Sequence, residues 1–154
     1  MAVTLNASTS PTTGLITTAD SSGAITLQTN GTDALALVSG AVVNPTIKNY
    51  VESPVTANTG TAYTIDLTNG TIQILTLTGN CTFTFPTATS GKSFAIFLRQ
   101  DATGSRTVTW AASVKWPGGT APTITATASR QDIYSFFADG TNWYGVTIGQ
   151  NYTP

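Results

Sequence analysis

Every aromatic side chain of this chain lies at or beyond Tyr50, and this asymmetry limits how the first part can fold. The 154 residues include three Trp, five Tyr and six Phe, none of them in residues 1–49. Small apolar and polar side chains alone fill little core. The asymmetry predicts two regions: an extended N-terminal assembly arm with short strands over residues 1–53, and a compact domain over residues 54–154.

The arm carries one local signal, the dipeptide Asn30-Gly31. Alternating runs at residues 24–28 and 34–38 flank it, which is typical of a β-hairpin, although the connection between these runs is longer than a two-residue turn. An isolated hairpin is marginal in water. Two alternatives therefore stay open: a Thr/Ser-rich terminus without fixed structure, and an arm that becomes ordered against neighbouring chains.

From Tyr50 onwards the pattern favours an all-β domain. Thr accounts for 32 residues of the chain and is a better strand former than helix former. Predicted strands are residues 62–68, 72–78, 81–85, 92–100, 106–110, 123–128, 132–138 and 143–148. Eight short strands with frequent turn signals favour an antiparallel β-sandwich or jelly-roll-like fold with almost no helix. On one strand, Phe94, Ile96 and Leu98 are expected to share one face and Ala95, Phe97 and Arg99 the other, so that one face lies in the core and the second is at least partly covered.

The composition argues against several classes of function. The chain has no His, one Cys and a net charge of -1, so an imidazole base, a Cys/His zinc site and a polycationic nucleic-acid surface are all unexpected. The longest nearly apolar stretch, residues 34–43, is too short to span a bilayer. We therefore expect no enzyme activity, no cofactor, no metal, no nucleic-acid partner and no membrane partner.

One candidate contact surface is the loop that carries Arg99, Asp101 and Arg106. In a functional interpretation, the two Arg side chains and the Asp side chain grip an acidic group on a partner or a sugar. In a structural interpretation, Asp101 orders the loop and pairs with one of the Arg side chains. The structural interpretation is favoured, because Asp commonly stabilises turns and surface ion pairs contribute little.

A second candidate is Trp116, which begins a Trp-Pro-Gly-Gly segment. An exposed Trp in such a loop can stack on a sugar ring, so a host glycan is a candidate partner. Trp110 and Trp143 stand in strand-like runs and are expected to fill the core or a seam between subunits.

Four motifs carry a resemblance to a known group of proteins. They are Gln100-Asp101, Thr103-Gly104-Ser105-Arg106, Lys115-Trp116-Pro117-Gly118-Gly119 and Asn142-Trp143-Tyr144-Gly145. Over roughly residues 55–150 the chain resembles a β-rich module of tailed-bacteriophage structural proteins, found in tail-fibre-like proteins and small decoration proteins of aquatic and cyanobacterial phages. The resemblance implies a virion component, commonly trimeric, with no catalytic residues to transfer.

Two functions follow as hypotheses. The leading one is a homotrimeric capsid decoration (cement) protein, made in the host cytoplasm, that stabilises the shell through the major capsid protein or another virion protein. The alternative is a short tail fibre or adhesin that binds host-surface glycans through Trp116 and the loop from Arg99 to Arg106. A free carbohydrate-binding module of a cellular protein ranks last.

Overall fold

The computed structural model describes residues 28–29, 32–33 and 48–154, and the chain divides into two units after Lys48. In the first unit, β1 (Gln28–Thr29) and β2 (Thr32–Asp33) pair antiparallel with Thr29 opposite Thr32. This pairing confirms the hairpin predicted at Asn30-Gly31, and the rest of the predicted runs lies outside the described residues. The remainder of the predicted arm up to residue 47 lies outside the described residues, and the predicted boundary between residues 53 and 54 stays a prediction.

The regular secondary structure of the second unit is almost entirely strand, so the all-β prediction is confirmed. The strands are β3 (Val55–Asn58), β4 (Ala62–Thr64), β5 (Ile72–Leu77), β6 (Cys81–Thr84), β7 (Ser93–Gln100), β8 (Val108–Thr109), β9 (Val114–Lys115), β10 (Gln131–Ala138) and β11 (Trp143–Tyr152). A single 3₁₀ turn covers Pro117–Gly119. A six-stranded sheet has the order β3-β5-β7-β10-β11-β9, and a three-stranded sheet has the order β4-β6-β8. No helix in the described residues is long and apolar enough to cross a membrane.

Strand pairing is mixed, which corrects the expectation of antiparallel pairing throughout. The pairs β3–β5, β5–β7, β4–β6, β6–β8 and β9–β11 are parallel, and antiparallel pairing in this unit is confined to β7–β10 and β10–β11. The reason is that the chain alternates between the two sheets from β3 to β8. Each return to a sheet repeats the previous direction, so parallel neighbours arise without helical crossovers.

Residues 123–128 were expected to form a strand, and the structure shows this to be wrong. Side chains bind several of their backbone groups in place of a ladder: Gln100 donates to the Thr125 carbonyl at 2.8 Å, and the Thr125 amide donates to Asp132 at 2.7 Å. The Ala126 carbonyl accepts from the Ser105 amide at 2.7 Å. These partners satisfy the backbone here as a neighbouring strand otherwise would. Conversely, β3 and β9 lie outside the predicted strands.

One hydrophobic core joins both sheets. Leu75, Ile96 and Phe136 of the six-stranded sheet belong to the same buried cluster as Cys81 and Phe83 of the three-stranded sheet. The predicted alternation on β7 is confirmed, because Phe94, Ile96 and Leu98 are buried whereas the residues between them are only half-buried. The described unit is therefore sandwich-like, with two sheets enclosing an aromatic-rich interior.

Candidate functional site

The loop after β7 is organised around the Asp101 carboxylate. Its Oδ1 accepts hydrogen bonds from the amides of Thr103 and Gly104 at 3.0 and 2.9 Å. Its Oδ2 accepts from Arg106 Nε at 3.1 Å and from Nη2 at 2.8 Å. The Arg106 hydrogen bond is the main cause that lowers the pKa of Asp101, with the two amides adding to it. The carboxylate therefore stays charged, and its hydrogen bonds to Thr103, Gly104 and Arg106 hold the loop in shape.

Gln100 closes the base of the same loop. This side chain is buried; it donates to the Arg106 carbonyl at 2.9 Å and accepts from the Arg106 amide at 2.9 Å. Gly104 has a φ of +72°, and a Cβ on it would lie 2.7 Å from the Ala128 amide nitrogen. The loop thus requires Gly at this position, both for its left-handed backbone and for its close approach to the neighbouring segment.

The structure separates the two arginines that the sequence placed in one site. Arg106 is held by Asp101. Arg99 Nε donates instead to Gln131 Oε1 at 2.6 Å, across the β7–β10 pair. Each guanidinium group therefore has its own intramolecular partner. This arrangement agrees with the structural interpretation of Asp101, and partner contacts by these residues stay a prediction.

A cleft of about 310 Å³ opens beside Arg106. Its lining residues are Ser105, Arg106, Thr107, Val108, Pro122, Thr123, Ile124 and Ala126. The volume lies at the lower end of the range that small-molecule sites occupy. No aromatic ring lines this cleft. A sugar bound here would rely on the Ser and Thr hydroxyl groups of the cleft and on the Arg106 side chain.

Trp116 does not stand out as an open platform. It is half-buried, and its ring lies 5.2 Å from Trp110, 5.9 Å from Tyr134 and 5.7 Å from Phe136, measured between ring centroids. A Cβ on Gly145 would lie 2.6 Å from the Trp116 ring, so this glycine makes room for the indole. Trp116 is thus integrated into the aromatic core, and glycan contact by it stays a prediction.

The other two Trp residues also lie among core aromatics, as expected. Trp143 is fully buried, and its Nε1 donates to the Pro86 carbonyl at 2.8 Å. Trp110 is half-buried and stacks on Phe83, with ring centroids 5.5 Å apart.

Sequence reasoning missed a buried polar cluster around Asp132. Its carboxylate accepts from the amides of Thr125 and Asn151 at 2.7 and 2.9 Å, and from Gln150 and the Tyr134 hydroxyl at 3.2 and 3.1 Å. Burial raises the pKa of Asp132, but these hydrogen bonds outweigh burial, so the pKa is lowered overall. Burial and the Asp132 charge raise the pKa of Tyr134. The cluster ties the segment before β10 to the end of β11.

Sequence reasoning also missed an exposed apolar face on β10 and β11. Phe137, Tyr144 and Val146 all point away from the core. Tyr144 and Val146 stand at alternating positions of β11, and this alternation could have signalled the face.

Among residues 48–154 and the two short strands of the first unit, no group of three His, Cys, Asp or Glu side chains gathers as a metal site would need.

The fold defines an all-β module with two sheets and an exposed apolar sheet face. Residues 55–143 match the family described as "Putative phage tail fibre C-terminal domain". The match spans more than half of the chain, and the chain therefore belongs to this family. No curated protein and no solved structure matches it significantly. The resemblance to phage virion structural proteins is confirmed, and the chain is a virion component.

Proposed function

We propose that this chain is a subunit of a phage tail fibre, with its β domain forming part of the surface that meets the host. The observation that carries the proposal is the overlap between the family match, residues 55–143, and the unit Asn49–Pro154. The same match supports the fibre alternative ahead of the capsid decoration protein, which reverses the order of the two sequence-based hypotheses.

The proposed role depends on fixed surfaces and involves no chemical step. The loop from Asp101 to Arg106 is held by side-chain hydrogen bonds at its base and centre, so its outward-facing groups keep one arrangement. Binding to a fixed loop loses less conformational entropy than binding to a loose one. The proposed partners are other copies of this chain in a homotrimer, neighbouring tail proteins, and a host-surface glycan at the cleft beside Arg106.

Labelling purified virions of the phage that encodes this chain tests the proposal. Antibodies raised against residues 49–154, bound to gold and viewed by electron microscopy, are expected at the tail fibres. Virions lacking the gene should assemble intact heads and adsorb poorly to host cells. Gold distributed over the head would refute the fibre role and support the decoration protein, whose loss would instead weaken the shell.

A further inference from the structure

The outward side of the six-stranded sheet carries large apolar side chains that remain in water. Phe137 is 52% exposed, Tyr144 45% and Val146 43%. Phe137 and Tyr144 are directly opposite each other, and Val146 is opposite Ser135. Aromatic and β-branched side chains at such cross-strand positions form one continuous surface.

This surface extends across the sheet towards its centre. Ile133 of β10 is opposite Phe97 of β7, and Phe97 is opposite Ile74 of β5. All three are half-buried and alternate with core residues, so they lie on the outward side. We call Ile74, Phe97, Ile133, Phe137, Tyr144 and Val146 the outer apolar face.

The size of the face fits a contact between proteins. Phe137, Tyr144 and Val146, with the nearby exposed Ile148 and Tyr152, leave roughly 500 Å² of side chain in water. A standard interface takes about 800 Å² from each partner, and the half-buried members of the face contribute part of the difference. The largest exposed apolar patch on a monomer commonly measures about 300–600 Å² and is often functional.

The chemistry of the face favours one kind of occupant. No charged residue occurs in β11, and three charged side chains border the face: Arg99 binds Gln131, Lys115 of β9 is opposite Tyr144, and Asp139 accepts a hydrogen bond from the Tyr144 hydroxyl at 2.9 Å. Nucleic acids and anionic lipid surfaces require a cluster of cations, and the middle of this face has none. A sugar requires several hydrogen-bonding groups, whereas aliphatic side chains occupy the middle of the face. A surface with an apolar middle and both a Lys and an Asp at its border is complementary to itself, so another copy of this chain fits it.

We infer that the outer apolar face binds a second copy of this chain and forms the contact between subunits. The inference rests on the proposed function in one respect, because fibre subunits must associate. It is tested on the purified full-length chain alone. A protein that associates through another surface and still labels the tail fibre would refute this inference and leave the proposed function intact.

The experiment measures the molar mass of the full-length chain by light scattering across a range of concentrations. The wild type is expected at a multiple of the 15.9 kDa subunit mass. Val146→Asp should weaken association at least about 100-fold, because the interface would then bury an unpaired charge. Val51→Asp is the matched control: Val51 is 91% exposed and precedes the first strand of the unit, so this variant should keep the wild-type mass. A monomeric wild type, or a Val146→Asp variant with the wild-type mass, would refute the inference.

A second measurement tests the inference even if Val146→Asp fails to fold. The single natural cysteine, Cys81, is buried, so a cysteine introduced at the surface is the reactive thiol. Val146→Cys should react with a maleimide at least about tenfold more slowly than Val51→Cys, a larger difference than their exposure in the single chain explains. Equal rates would mean that the face is open to solvent and that the inference is wrong.

Discussion

At the scale of single residues, buried polar side chains bind backbone segments of this domain that lie outside the strands. Gln100 and Asp132 both bind the segment 123–128, one through the Thr125 carbonyl and the other through the Thr125 amide. Such groups stabilise only while every partner is satisfied, because an unpaired buried donor or acceptor is costly. The sequence shows an Asp and a Gln at these positions but not their partners, which come from distant residues such as Asn151.

Asp132→Asn should lower the free energy of unfolding by about 1–3 kcal/mol. The amide nitrogen of Asn is a donor, and it would face groups that already donate to Asp132. Urea unfolding followed by circular dichroism measures the change. Asp139→Asn is the control, because Asp139 is exposed and its Oδ1 acceptor role for Thr141 and Asn142 survives in Asn. Equal losses in the two variants would contradict this account of the buried cluster.

The same carboxylate predicts how stability depends on pH. The hydrogen bonds that lower the pKa of Asp132 act only in the folded state, so the folded protein binds fewer protons than the unfolded chain. The resulting stability is present above the unfolded pKa of about 4 and is lost as pH falls towards the lower folded pKa. Unfolding measured below pH 4 should show a smaller further loss in Asp132→Asn than in the wild type. Parallel curves would contradict the prediction.

Gly104→Ala should destabilise the domain strongly. The substitution combines an unfavourable left-handed backbone with a clash against backbone atoms of Ala126 and Ala128. Gly118→Ala separates the two causes, since Gly118 has a φ of +68° and no atom within 4 Å of the added Cβ. In thermal unfolding, Gly104→Ala should lose about 1–3 kcal/mol more than Gly118→Ala. Similar losses would mean that the clash is relieved by movement of the loop.

At the scale of strands and sheets, local patterns predicted much of the fold. The alternation in β7 predicts its two faces, and Asn30-Gly31 predicts a hairpin. Which strands pair was harder to predict from the sequence. β5 and β7 are parallel neighbours, and the strand between them in the chain, β6, belongs to the other sheet. Trp116 was uncertain for a similar reason: the space it occupies is created by Gly145, far along the chain.

Trp116→Ala should therefore act mainly on stability. The indole packs against Trp110, Tyr134 and Phe136, so its removal should lower the free energy of unfolding by about 3 kcal/mol or more. Tyr144→Ala is the matched control, since its ring is 45% exposed, and it should cost less than about 1 kcal/mol in dilute protein. Chemical denaturation compares them. A stable Trp116→Ala variant that loses glycan binding would instead support the hypothesis that Trp116 stacks on a sugar.

At the scale of the whole molecule, the question is which region drives assembly. The lack of aromatics before Tyr50 predicts an arm that depends on neighbouring chains. The structure adds an apolar sheet face within the unit Asn49–Pro154. These two regions predict different results for a chain that lacks residues 1–48. Association through the arm would be lost, whereas association through the outer apolar face would be kept.

A fragment of residues 49–154 distinguishes these sources. The hydrophobic core lies within the fragment, and so does the hydrogen bond from Thr71 to Glu52 near its start. We therefore expect one cooperative thermal transition within about 5 °C of that of the full chain, equivalent to a change near 1 kcal/mol. Because the outer apolar face is retained, the fragment should also self-associate in sedimentation experiments, and Val146→Asp in the fragment should abolish that association. A folded fragment that stays monomeric at concentrations where the full chain associates would assign assembly to the first 48 residues, because removing them would then remove the contact between subunits.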